Sequence, residues 1–179
     1  MAPLNSVQIR VARPGDYAAL GELTLAAYAS VDPSTLEGDY PEELRDVAGR
    51  AAGAEVLVAV EVAGDGEATG TRGPVLGGVT YVPGPDSPSA EFTEPDAAGI
   101  RMLAVAPDAR GRGVGEALTR ACIDRARTAG RGQILLHSTD RMTVAHRLYQ
   151  RLGFERDLSL DWEPEPGVNL RGFRLRLTR

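Results

Sequence analysis

The stretch from Gly99 to Gly115, Gly-Ile-Arg-Met-Leu-Ala-Val-Ala-Pro-Asp-Ala-Arg-Gly-Arg-Gly-Val-Gly, constrains this chain more than any other. Its first half, Ile100 to Ala106, has the apolar content of a buried strand, and Pro107 ends the ladder because proline has no N–H to donate. Its second half is a glycine turn that feeds a long helical pattern beginning near Gly113. A strand, a glycine turn and a helix N-terminus in that order build an anion site. Backbone N–H groups converge there, the helix dipole adds partial positive charge, and glycines let a phosphate reach the main chain. An ordinary strand-to-helix turn uses one glycine. Three at alternate positions, Gly111, Gly113 and Gly115, accompanied by Arg110 and Arg112, point to phosphate binding.

Two familiar phosphate loops fail on the residues. A dinucleotide fold needs G-x-G-x-x-G directly at the strand end, but Glu116 stands where the third glycine belongs, and its carboxylate would face the phosphates. Asp140, after the next strand, imitates a ribose-binding acid, yet the fingerprint before it is broken. A nucleotide P-loop needs Gly-Lys-Ser/Thr, and the chain contains no lysine.

Around this stretch the periodicities alternate. Val7 to Val11 reads as a strand, Pro14-Gly15-Asp16 as a turn with Asp16 as N-cap, and Tyr17 to Tyr28 as a half-buried helix. After a polar loop from Val31 to Tyr40, Pro41 opens a second helix that runs to about Ala52. Val56 to Val62 and Leu76 to Val82 are strands joined by a loop over Ala63 to Pro74. A second long loop, Pro83 to Ala97, carries Asp86, Glu91, Glu94 and Asp96, and loops of that length are often functional. The helix from Gly113 to Ala129 aligns Val114, Leu118, Ala121 and Cys122 on one face, which makes Cys122 a core residue rather than a nucleophile, and Gly130 ends it. Gln133 to Ser138 is a strand. Arg141 to Leu152 is a helix capped by Thr139 or Asp140 and closed by Gly153-Phe154 as a Schellman motif. Phe154 to Trp162 and Leu170 to Leu177 alternate as closing strands. The order β-α-α-β-β-β-α-β-α-β-β predicts an α/β fold, one domain over residues 1–179, with a mixed sheet of about seven strands flanked by about four helices.

Charge narrows the partners. Residues 1–98 hold 5 arginines and 16 acids, whereas residues 99–179 hold 15 arginines and 9 acids. The basic half suits a polyanionic ligand and the acidic half a cationic one, while a net charge of −5 argues against nucleic acid. No apolar run approaches the roughly 18 residues of a membrane span, and the first residues lack the basic and apolar regions of a secretory signal. A single cysteine fits a reducing cytoplasm, and with His137, His146 and Cys122 as the only soft ligands no metal site is expected.

Arg110-Gly111-Arg112-Gly113-Val114-Gly115 resembles the R/Q-x-x-G-x-G/A motif of the GNAT superfamily of acyl-CoA-dependent N-acetyltransferases. Leu103 to Pro107 looks like that family's fourth strand, and Ala145-His146-Arg147-Leu148-Tyr149-Gln150-Arg151-Leu152-Gly153-Phe154 is similar to its A-x-x-L-Y-x-x-x-G-F segment. The element order from Val7 to Leu177 also matches, so the resemblance covers nearly the whole chain. It departs at Met142, where family members often have a cofactor-contacting asparagine.

The resemblance implies acetyl-CoA as co-substrate. The amides of Arg110, Gly111, Arg112, Gly113, Val114 and Gly115 would hold its pyrophosphate. The backbone of Leu103, Ala104 and Val105 would pair with pantetheine like an added strand, beside a splayed strand Gln133 to Ser138. Val105 N–H would serve the oxyanion, and Tyr149 would protonate the leaving thiolate. An amine of pKa about 10.4 is almost wholly protonated at neutral pH, so a base must act. Glu94, Glu91 and Asp96 in the long loop are candidates, as are His137 and His146. The expected function is acetyl transfer to a primary amine by direct attack, with a non-catalytic acyl-CoA-binding module on the same fold as the alternative. A longer acyl group or an O-acceptor is a further variant. The acceptor is left open among a small polyamine-like or amino-acid amine, an antibiotic and a peptide N-terminus, and a homodimer through the closing strands is among the options for assembly.

Overall fold

The computed structural model describes residues 7–62 and 73–178. Seven strands form one mixed sheet in the order β1-β2-β3-β4-β5-β7-β6. They are β1 (Val7–Val11), β2 (Glu55–Glu61), β3 (Val75–Val82), β4 (Ala97–Val105), β5 (Gln133–Thr139), β6 (Glu155–Arg156) and β7 (Leu170–Arg176). Only β4 and β5 run parallel; every other neighbouring pair is antiparallel. A parallel pair needs a crossover, and α4 (Val114–Thr128) supplies it. Helices α1 (Tyr17–Ala29), α2 (Tyr40–Arg45) and α3 (Val47–Gly53) precede β2, and α5 (Thr143–Arg151) follows β5.

The sheet is covered on both faces, which is why its central strands read as unbroken apolar runs. In β2, Leu57 and Ala59 join a core with Leu118, Cys122, Leu148 and Tyr149 of α4 and α5. Val56, Val58 and Val60 point the other way, to Leu20 of α1 and Val47 of α3. Ile100 and Leu136 belong to the α4–α5 face, so Arg101 and His137, one residue on, belong to the α1–α2 face.

Glycines close both long helices on the α4–α5 face. Gly130 (φ 69°) and Gly153 (φ 92°) are left-handed, and the Schellman bonds Arg131 N–H to Ala126 O (2.9 Å) and Phe154 N–H to Tyr149 O (3.0 Å) follow them. The Tyr149 and Phe154 rings, 5.7 Å apart, make the apolar contact of the second motif.

Four local expectations are corrected. The single helix over Pro41 to Ala52 is two, so the sheet has five helices around it. Asp46 (φ −75°, ψ 68°) leaves helical geometry and caps α3 by accepting from Gly49 N–H at 2.8 Å, while Arg50 donates to the freed carbonyls of Glu43 (2.8 Å) and Leu44 (3.2 Å). Asp16 does not cap α1 through its side chain; it reaches back to Arg13 N–H (2.7 Å) and takes a two-pronged ion pair from Arg10 (2.7 and 3.0 Å). Helix α5 starts after Met142, with no side-chain cap from Thr139 or Asp140. Finally, the strand expected over Phe154 to Trp162 is paired only at Glu155–Arg156 and by an isolated bridge at Trp162. Between them Asp157 accepts from Ser159 N–H (2.9 Å) and folds Leu158–Leu160 into a 3-10 turn. Most of the loop expected over Ala63 to Pro74 lies outside the described residues. No described helix is long and apolar enough to cross a membrane.

Candidate active site

The site begins with a fork in the sheet. β4 and β5 pair from Ala97↔Gln133 to Ile100↔Leu136 and then part, although β4 continues to Val105 and β5 to Thr139. Met102 marks the parting. It is the one non-glycine residue with positive φ (51°) among those described, and the register between β3 and β4 shifts opposite it. A bulge there bends β4 away from β5, and Met102 is held by packing with Leu25 and Leu44 beneath α1 and α2.

Beyond the bulge, alternation decides which peptide groups face the gap. Ala106 N–H donates to Leu76 O on β3 at 2.8 Å, and the Ala104 carbonyl lies 2.6 Å from where a Cβ on Gly77 would sit. Ala104 and Ala106 therefore face β3, and Leu103 and Val105 turn their N–H and C=O into the gap. Of the three strand residues expected to contact pantetheine, these two carry the free polar groups.

At the end of β4, Pro107–Ala109 forms one 3-10 turn and the glycine loop follows. Gly111 (φ 73°) and Gly113 (φ 76°) are both left-handed, a conformation that costs an L-residue roughly 1–2 kcal/mol. Among the described residues no backbone carbonyl accepts from the N–H groups of Gly111, Arg112, Gly113, Val114 or Gly115. These donors crown the N-terminus of a 15-residue helix, where an anion is favoured. The side chains of the loop have other duties. Val114 is buried, Arg112 pairs with Glu61 of β2 at 2.6 Å, and Arg110 donates to Ser30 Oγ at the end of α1 at 3.0 Å.

Helix α5 closes the gap from its own face of the sheet. A Cβ on Gly115 would stand 3.4 Å from Leu148 and 3.5 Å from Val105, so loop, strand and helix meet at one point. Tyr149 is 5% exposed, with its ring against Phe154 and Phe173. Burial pushes its phenol well above the ordinary value, so it holds its proton throughout the physiological range. Burial likewise pushes the Cys122 thiol up to about 12, in keeping with a core role.

On the opposite face, charged groups floor the fork. Arg101 follows the last paired residue of β4 and His137 the last of β5. Glu91, from the long Pro83–Ala97 loop, bridges them, with Oε1 2.7 Å from Arg101 and Oε2 3.6 Å from His137 Nδ1. His137 Nε2 donates to Leu160 O at 2.8 Å, which leaves Nδ1 as the lone-pair nitrogen of the neutral ring. Arg101 also reaches Glu43 of α2 at 3.5 Å. Tyr28 and Tyr40 meet edge to face at 6.5 Å. Burial raises both phenols, Tyr40 to about 12, and the Tyr28 phenol is further raised by those of Tyr40 and Tyr149.

The other expected proton acceptors lie elsewhere. Glu94 is 3.7 Å from Arg174, toward the β5–β7 pairing below the fork, and accepts from Thr93 N–H. Asp96 accepts from Gln133 Nε2 at 2.6 Å and fixes the start of β5. His146 shares a hydrogen bond with Ser138 Oγ at 3.1 Å, and burial lowers its pKa. Arg101, Glu43, Tyr28 and Tyr40 were missed from the sequence. Alternation from the inward Ile100 places Arg101 on the α1–α2 face, but nothing local marks the rest. The described residues contain no cluster of three metal-ligating side chains.

The mixed sheet, forked beside a glycine-lined helix N-terminus, has the fold of solved GNAT acetyltransferases. Residues 23–154 match the acetyltransferase (GNAT) family, and the chain belongs to that family. A GCN5-related N-acetyltransferase from Kribbella flavida superposes with a TM-score of 0.67 at 25% identity, covering 98% of this chain and 100% of that one. A GNAT family acetyltransferase from Brucella melitensis, solved in complex with acetyl-CoA, has a TM-score of 0.61 at 26% identity, covering 97% and 89%. Mycothiol acetyltransferase from Rhodococcus opacus (strain B4) is 41% identical over 63 residues. That match takes in 35% of this chain and 21% of the relative's length.

Proposed function

We propose that this protein transfers an acetyl group from acetyl-CoA to the primary amine of an acceptor by direct attack. The observation that carries the reading is the fork, where unpaired peptide groups of Leu103 and Val105 continue into the unpaired N–H groups of the glycine loop. A diphosphate fits the loop, and a slender chain with two amides fits the strand edge, where it substitutes for a missing strand. Bound acetyl-CoA supplies the activated acetyl group as a thioester.

The chain's own residues then divide three tasks. The N–H of Val105 donates to the thioester oxygen as negative charge grows there. As the C–N bond forms and the C–S bond breaks, Tyr149 passes its proton to the departing thiolate and recovers one from the nitrogen that has become the amide. The Glu91–His137 pair takes the proton of the incoming ammonium, His137 Nδ1 accepting and Glu91 stabilising the imidazolium that results. Glu94 is replaced in this role because its carboxylate is drawn to Arg174.

Thiol release from acetyl-CoA across a panel of amines tests the reading. Tyr149→Phe keeps the ring packing and is expected to bind acetyl-CoA normally while kcat falls by about 100-fold. Unchanged turnover would remove Tyr149 from the mechanism, and absence of acetyl-CoA binding by the native protein would refute the function.

A further inference from the structure

The acceptor is the blank half of the reaction, and the floor of the fork constrains its charge. On the α1–α2 face the gap is bounded by Arg101, Glu91, Glu43 and His137, with Tyr28 and Tyr40 beside them. The Arg101 guanidinium beside these groups is already committed. Arg101 Nη2 serves Glu91 and Glu43 together, and its Nη1 donates to Ser89 O at 3.4 Å. Arg50, buried beneath α2, gives its Nη1 to the carbonyls of Glu43 and Leu44, while its Nε has no partner among the described residues. A carboxylate arriving with the substrate would meet two carboxylates that already share the Arg101 guanidinium. An ammonium would find those carboxylates and the faces of Tyr28 and Tyr40, the partners a desolvated cation prefers.

We infer that the acceptor is a cationic primary amine with no carboxylate next to the reacting nitrogen, an alkylamine or arylalkylamine rather than a free amino acid. This rests on the acetyl-transfer reading and narrows it. Glu43 acts as a specificity residue. Its side chain is 53% exposed and turned to Arg101, so it adds negative potential at the mouth without entering the core. Trp162, 44% exposed with its ring 6.4 Å from that of His137, lies near the same floor from the β6–β7 side and offers an apolar surface to the remainder of the acceptor.

Matched pairs that differ only in the carboxylate test the inference: histamine against histidine, phenethylamine against phenylalanine, and tyramine against tyrosine, with each amino acid methyl ester as a third arm. The decarboxylated amine is expected to exceed its amino acid in kcat/KM by about tenfold or more, with the ester close to the amine. Glu43→Gln is expected to shrink that ratio several-fold by raising KM for the amines, with kcat little changed. Equal or better use of the free amino acids would overturn the inference, as would a ratio untouched by Glu43→Gln. Calorimetric binding of acetyl-CoA separates the two levels. Binding without acetylation of any amine in the pairs overturns the acceptor class and leaves the cofactor site standing, whereas no binding removes the reading beneath it.

Discussion

Gly113 offers the sharpest test of the phosphate loop, because its backbone conformation and its function are tied together. At φ 76° it heads α4 with its N–H unpaired. Alanine there either keeps the left-handed geometry or relaxes toward negative φ. Keeping it costs roughly 1–2 kcal/mol, seen as a loss of stability without ligand. Relaxing rotates the peptide units on both sides and misaligns the amides, and the same energy then appears as a roughly 5–30-fold weaker Kd for acetyl-CoA. Urea unfolding of the free protein together with calorimetric titration of acetyl-CoA measures both, and the two losses together should amount to about 1–2 kcal/mol. Gly115→Ala is the control. That residue already lies within α4, its new methyl would meet Leu148 and Val105 at 3.4 and 3.5 Å, and alanine's helix propensity should offset the contact. If Gly113→Ala altered neither stability nor affinity, the claim that a left-handed residue shapes the loop would fail.

Other regions give independent outcomes. Cys122 is fully buried with its thiol pushed up to about 12, so a thiol reagent should label it only as the protein unfolds; rapid labelling of the folded protein would contradict its placement in the core. Asp157, bonded first by Ser159 and then by Arg174, has its carboxyl lowered from 3.8 to about 2. Its contribution to stability is therefore present above 3.8 and lost as pH falls toward about 2, and Asp157→Asn should flatten the acid limb of a stability-versus-pH curve. Asp16 is 3% exposed against Arg10, so Asp16→Ala strands a half-buried guanidinium and should cost about 3 kcal/mol in chemical denaturation; a loss under about 0.5 kcal/mol would mean the pair adds little.

What the sequence revealed and what it concealed divide along the range of the interactions. Gly113, Gly130 and Gly153 announced their turns because a left-handed residue leaves a local signature. Helix α4 was legible from the shared face of Val114, Leu118, Ala121 and Cys122. Asp46 was opaque: it lies between Leu44 and Val47, both buried, so the apolar period runs on while the backbone breaks. The closing strand misled for the opposite reason. Residues 154–162 alternate, but the Asp157-Leu158-Ser159 turn captures the backbone before it can pair, a signal present in the sequence and overridden by the alternation. The fork was anticipated only through family resemblance. Its cause is a bulge at a methionine, a residue type that carries no warning of positive φ, held by packing from α1 and α2. Glu91 and Glu94 are indistinguishable by local pattern. Long-range partners separated them, Arg101 and His137 for one and Arg174 for the other.

The gap between β4 and β5 also acts as a gauge of thickness. A vacant strand edge usually invites another polypeptide, and sheets protect their outer edges with charge or twist. This edge is in the middle of the sheet, with layers already filled above and below. Met102, Leu25 and Leu44 occupy one side, and Leu148 and Tyr149 the other. A peptide strand would need room for side chains on both faces, where packed layers stand about 10 Å apart. A chain of bare methylenes and amides needs only the sheet's own depth. The fold thus keeps an adhesive edge open to a slim ligand while refusing the peptides that would otherwise polymerise on it.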